Sequence, residues 1–170
     1  IYTSWGQSFA KEKSIPVAYQ AVGSGEGVKR IIAREVDFGA SDVAVSREEI
    51  KRNNLFQFPT VVGGIVPVVS FRPGSSGQLR LTGPVLADIF AGRITEWNDP
   101  RIAELNPGSD LPKVTITRIV REDSSGTTAA FTSYLSLVSE NWSRSIASGN
   151  TVSWPGTVTK ARGNDGVVEA

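Results

Sequence analysis

Twice in this chain a β-branched run leads into a glycine- and hydroxyl-rich turn and then into a helical pattern. The first unit passes from a strand-like Ile15 to Val22, through Gly23-Ser-Gly-Glu-Gly27, into Val28-Lys-Arg-Ile-Ile-Ala-Arg34. The second passes from Val114-Thr-Ile-Thr-Arg-Ile-Val120, through Arg121-Glu-Asp-Ser-Ser-Gly-Thr-Thr128, into an apolar stripe of Ala130, Phe131, Tyr134, Leu135 and Val138. Alternation of this kind restricts the chain to an α/β architecture, with ligands at the carboxyl ends of strands. Each turn also opens a helix, whose first N–H groups lack partners and carry partial positive charge, so it favours an anion. In the second unit Ser125 and Thr127 add hydroxyl donors and Gly126 lets a ligand approach the backbone. Arg121 adds a full charge and a planar fork of donors. The combination reads as a pocket for a small oxyanion. The plainer alternative is an ordinary N-cap at Ser124 or Ser125, with Arg121 solvated.

The rest of the chain continues the alternation. Ile1, Trp5 and Phe9 share one helical face with Tyr2 beside them, and Pro16 ends that element. A short strand, Val36 to Ser41, ends on Asp42. Ser46-Arg-Glu-Glu49 is a capping box that opens a short helix through Asn53. Phe56 to Phe71 reads as strand, turn, strand, and as a crossover between lobes, and Pro73 to Gly77 reads as a loop. Thr82-Gly-Pro-Val85 starts a helix in which Val85 and Leu86 pair with Ile89 and Phe90, and Gly92 stops it. Asn98 to Pro112 is turn-rich. Val152 to Gly166 reads mostly as loop, with a helix start at Asn164 or Asp165.

Composition removes several classes of function. Cysteine and histidine are both absent, which excludes thiolate and imidazole metal sites, cysteine nucleophiles and any serine–histidine triad. No cofactor is expected. With 18 basic against 17 acidic residues, the charge gives no electrostatic case for nucleic acid or a membrane surface. No apolar run approaches the ~18 residues of a membrane span. The chain starts at Ile1, from which a processed or trimmed N-terminus is expected.

Eight motifs in order resemble the phosphate-binding proteins that serve bacterial phosphate ABC importers, the PstS family. They are Tyr19-Gln-Ala-Val-Gly-Ser-Gly-Glu-Gly-Val-Lys29, Val36-Asp-Phe-Gly-Ala-Ser-Asp42, Phe56-Gln-Phe-Pro-Thr-Val61, Ile89-Phe-Ala-Gly-Arg-Ile-Thr-Glu-Trp97, Leu105-Asn-Pro-Gly108, Arg121-Glu-Asp-Ser-Ser-Gly-Thr127, Phe131-Thr-Ser-Tyr-Leu135 and Gly163-Asn-Asp-Gly166. The resemblance implies a two-lobed, hinged periplasmic-binding-protein (type II) fold that holds inorganic phosphate in its cleft. It implies a membrane permease as partner, a periplasmic or extracytoplasmic location, and no enzymatic activity. Residues 1–66 would form part of lobe 1 and residues 67–170 most of lobe 2. Family members are about twice this length, so the chain is expected to be a fragment without the extreme N-terminal loop and the C-terminal half. A second chain or missing segments would complete the fold.

By the same resemblance Ser24 is the hydroxyl donor of the first turn, and Asp42 is the carboxylate that accepts the ligand's proton. Arg121 faces the anion, Ser125, Gly126 and Thr127 form the donor turn, and Asp123 holds the arginine. The plainer alternatives are turn chemistry for Ser24, a cap on the following turn for Asp42 and a simple N-cap for Asp123. Glu26 departs from the small residue expected in its turn and is expected to face solvent. A different class stays open: the 23–27 glycine-rich turn, with Asp42 some 19 residues beyond, mimics the fingerprint of a dinucleotide-binding enzyme, although its third glycine falls at 27 instead of 28.

Overall fold

The computed structural model describes residues 1–70 and 79–170. The loop expected at Pro73 to Gly77, and the end of the segment expected to run to Phe71, lie outside the described residues.

The core is built by helices around one apolar hub. Helix α4 (Gly83–Phe90) begins behind Thr82 with a proline in its first turn, and ends where Gly92 takes φ 74°, a left-handed conformation that glycine adopts without cost. It packs on α6 (Gly126–Val138), which is followed by α7 (Glu140–Ser145). Leu86, Ala87, Ala91, Leu135 and Trp142 form one buried cluster, and Ile89, Ile94, Ile102 and Ile116 form a second. Phe90 touches both, edge-on to Phe131 at 4.8 Å between ring centroids. Burial of side chains such as Leu135 and Ile102 stabilises by roughly 1.5–3 kcal/mol each. Trp142 is fully buried and satisfies its indole N–H on the Ala147 carbonyl at 2.8 Å. A short helix, α5 (Pro100–Ala103), interrupts the stretch expected to be turns; Asp99 caps it through the Arg101 N–H.

Two short strands frame the second turn. β1 (Ile119–Arg121) and β2 (Thr159–Ala161) pair in parallel, with Arg121 opposite Ala161. The strand expected to begin at Val114 is shorter than its apolar pattern, because Thr115 meets only Glu96 in an isolated antiparallel bridge. β2 lies in the stretch expected to be loop; its mixed composition has no alternation, and pairing with β1 alone makes it a strand. Arg118 braces this corner by donating to the Phe90 carbonyl at 2.7 Å and the Thr157 carbonyl at 2.9 Å. Helix α8 (Gly163–Glu169) follows, starting at Gly163 behind Arg162 and not at Asn164 or Asp165.

The N-terminal part keeps its helices but not its strands. α1 (Tyr2–Lys13) stops at a left-handed Ser14 ahead of Pro16, and α2 (Ser24–Ile32) follows Gly23. In α3 (Arg47–Arg52) the Ser46 hydroxyl accepts the Glu49 N–H, as the capping-box pattern predicts. Residues 15–22, 36–41 and 56–70 form no ladder, against expectation. A strand exists only when a neighbour takes its backbone hydrogen bonds, and among the described residues none does. Phe56 and Val62 are 86% and 100% exposed. Among the described residues, the buried hydrophobic clusters lie between residues 86 and 142.

Candidate functional site

The two helix-opening turns meet. The Gly25 N–H donates to the Ser124 carbonyl at 3.3 Å, which locks the first turn of α2 against the turn before α6. The fit leaves no room for side chains: a β-carbon on Gly25 would fall 2.0 Å from the Ser124 hydroxyl oxygen. A β-carbon on Gly23, at φ 86°, would fall 2.8 Å from Asp123 Oδ2 and 3.5 Å from Arg121 Nη2, so the start of α2 lies beside the arginine. Two positive helix ends therefore converge on one place.

Hydroxyl and backbone N–H groups gather there. Ser125 caps α6 by accepting the Thr128 N–H at 3.2 Å, which resolves the choice between Ser124 and Ser125 as the cap. Its own hydroxyl hydrogen has no acceptor among the described residues, and neither do the backbone N–H groups of Gly126 and Thr127. Ser24 is buried and accepts the Asp42 N–H at 3.1 Å. Thr127 is differently engaged: it donates to Asp42 Oδ2 at 3.2 Å. Ser24, Asp42, Ser125, Gly126 and Thr127 thus come together across the junction of α2 and α6.

Arg121 stands beside this group at the end of β1. Asp123 grips it side-on, accepting from Nε at 2.7 Å and from Nη2. The arginine bonds and the Gly163 N–H, at 3.0 Å, hold the Asp123 carboxyl down to a pKa of about 2. Asn164 accepts from Arg121 Nη1 at 2.7 Å. Asn164 was not among the residues singled out from the sequence for a binding role. Only the β1–β2 register, formed by a strand with no sequence signature, brings it back to Arg121. Glu26 turns away and pairs with Arg30 at 2.9 Å, and this pairing, with Lys29 nearby, lowers its carboxyl pKa. Among the described residues no cluster of acidic side chains could hold a metal.

The dinucleotide alternative fails on this geometry. No strand precedes the glycines, residues 24–27 already belong to α2, and the space beside Gly25 is filled by Ser124. These glycines serve contact between two chain segments and leave no opening for a pyrophosphate.

A PBP superfamily domain model matches residues 1–169. The chain belongs to the PBP superfamily. Among curated members, the phosphate-binding protein PstS of Pasteurella multocida is 47% identical over 167 residues, covering 98% of this chain and 48% of the relative. PstS of Haemophilus influenzae is 46% identical, covering 98% and 50%. The chain spans about half the length of these relatives. Two solved PBP-type structures, both with phosphate bound, share the fold. One is from Clostridium perfringens, with TM-score 0.65, 19% identity, and coverage of 98% of this chain and 59% of that one. The other is a high-affinity periplasmic phosphate-binding protein, with TM-score 0.58, 23% identity, and coverage of 91% and 46%.

Proposed function

We propose that this chain carries the anion-contacting half of a solute-binding protein that captures inorganic phosphate outside the cytoplasm and delivers it to the permease of an ABC importer. The convergence of the α2 and α6 N-termini on Ser24, Asp42 and residues 125–127, with Arg121 alongside, carries this reading. Ser24, Ser125, Gly126 and Thr127 supply dipolar donors, Arg121 the cation, and Asp42 the acceptor for a proton on phosphate. Asp123 holds the arginine. A buried phosphate is best served by charge spread over many dipoles. Hydrogen bonds involving charged groups contribute roughly 1.5–3 kcal/mol each, enough for a handful to reach the ~8 kcal/mol of micromolar binding after ordering costs. Residues 1–66 fit part of a first lobe and residues 67–170 most of a second, a division supported by the clustered core, which lies in the latter among the described residues. The site performs no chemistry on its ligand.

Calorimetric titration with phosphate, sulfate and NAD tests the reading. Phosphate alone should bind, Arg121→Ala should weaken it more than Ser24→Ala does, and Arg121→Lys should not restore it fully, because only arginine offers charge and two donors at once. Equal losses from the arginine and serine changes, or equal affinity for phosphate and sulfate, would argue against these roles.

A further inference from the structure

Asp123 is not the only group that fixes Arg121. A guanidinium carries five N–H donors, one on Nε and two on each Nη. Asp123 takes the Nε hydrogen and one from Nη2, and Asn164 takes one from Nη1 at 2.7 Å. One hydrogen remains on each Nη, so the guanidinium keeps two donors for an anion. Since arginine only donates, the amide oxygen of Asn164 must be the atom that faces it, which fixes the amide's orientation by chemistry.

We propose that Asn164 is a positioning residue for anion capture, which immobilises the Arg121 guanidinium while adding no charge to the site. The proposal rests on the reading of Arg121 as the cation that meets the anion. Arg121 and Asp123 already cancel as a pair. A carboxylate at position 164 would accept the same hydrogen bond but add a negative charge to a locus that already holds Asp42, and so repel an incoming anion. An amide supplies the restraint alone. The backbone delivers it: Arg121 pairs with Ala161 across the two strands, the Glu122 N–H reaches the Ala161 carbonyl at 2.9 Å, and the chain turns through Gly163 so that its N–H holds Asp123 while the Asn164 side chain holds Arg121. One turn thus grips both members of the pair.

Asn164 is exposed, so its replacement should leave the fold intact. Two readouts on the 170-residue chain test the proposal. The first is the set of ¹⁵N-edited guanidinium resonances of Arg121 without ligand, which report hindered rotation about the Nη bonds. The second is titration with inorganic phosphate at roughly pH 6 and roughly pH 8, where the monoanion and then the dianion prevails. Asn164→Ala should release the Nη1 resonances and weaken phosphate binding about tenfold. Asn164→Asp should keep the resonances restrained yet bind more weakly than the alanine variant, with the larger deficit at the higher pH. Unaltered Arg121 resonances in Asn164→Ala, or undiminished affinity in Asn164→Asp, overturns the proposal. Absence of phosphate binding by the unaltered chain overturns the functional reading instead, while released resonances in Asn164→Ala would still support the restraint itself.

Discussion

A β-carbon on Gly126 would lie 2.3 Å from the Ser24 hydroxyl oxygen and 2.7 Å from the β-carbon of Asp42. Gly126 is the first residue of α6 and Ser24 the first of α2, so the α6 backbone meets the Ser24 side chain directly, with no side chain of its own between them. The absence of that carbon brings the first backbone N–H groups of one helix beside a hydroxyl of the other.

Gly126→Ala should therefore separate the two ends. The added methyl group meets a buried serine and a β-carbon, neither of which can swing away as a long side chain would. A loss of about 1–3 kcal/mol in unfolding free energy is expected, with phosphate binding reduced far more than α6 is weakened. Gly63→Ala is the matched control, because a β-carbon there meets nothing within 4 Å. Thermal melts and phosphate titrations of the two variants should diverge sharply.

Asp42→Asn exchanges an obligate acceptor for a group that can also donate, at almost constant volume. Against protonated phosphate the amide oxygen still accepts, and the loss should be modest. Against sulfate the amide can turn its NH₂ inward, and binding should emerge where the native chain shows none. The phosphate-to-sulfate ratio should collapse more than phosphate affinity falls. Competition titrations at neutral pH decide it, and an unchanged ratio would reduce Asp42 to a turn residue held by Ser24 and Thr127.

The Arg121–Asp123 pair sets a stability step in acid. Asp123 has its pKa depressed to about 2 in the folded chain. Its contribution is fully present above the ordinary aspartate range and is lost as pH falls from about 4 through about 2. The step is of order 2 kcal/mol for a mostly buried pair. Asp123→Asn should flatten that part of the stability-versus-pH curve. Denaturant melts at closely spaced acid pH values measure it, and a variant that kept the native slope would remove Asp123 as its source.

The helices were legible where local chemistry sufficed. Ser46 and Glu49 specify a cap by themselves, and Thr82, Pro84 and Gly92 punctuate α4 at both ends. Strands were less so: the run from Val114 yields β1 only at its end, and the run from Phe56 has strand composition but its ladder depends on a neighbour that local sequence does not encode. The converse holds for Thr159–Ala161, which becomes a strand solely because Ile119–Arg121 lies alongside. The site followed the same division. Arg121, Ser125 and Gly126 announced themselves through a turn of legible chemistry, whereas Asn164 reaches Arg121 only through strand register. Glu26 was read as facing solvent, and its link to Arg30 gives it a partner on its own helix.

The first seventy residues supply Ser24 and Asp42 but none of the clustered core, so a few hydrogen bonds at the α2–α6 junction tie a loosely anchored segment to a well-packed one. An anion seated there would act as a rivet. Its arrival would be felt most strongly where packing is weakest, as slower amide hydrogen exchange in the N-terminal helices, while the core around Trp142 and Leu135, already protected, would register little. The ligand would then be part of what orders the polypeptide that binds it.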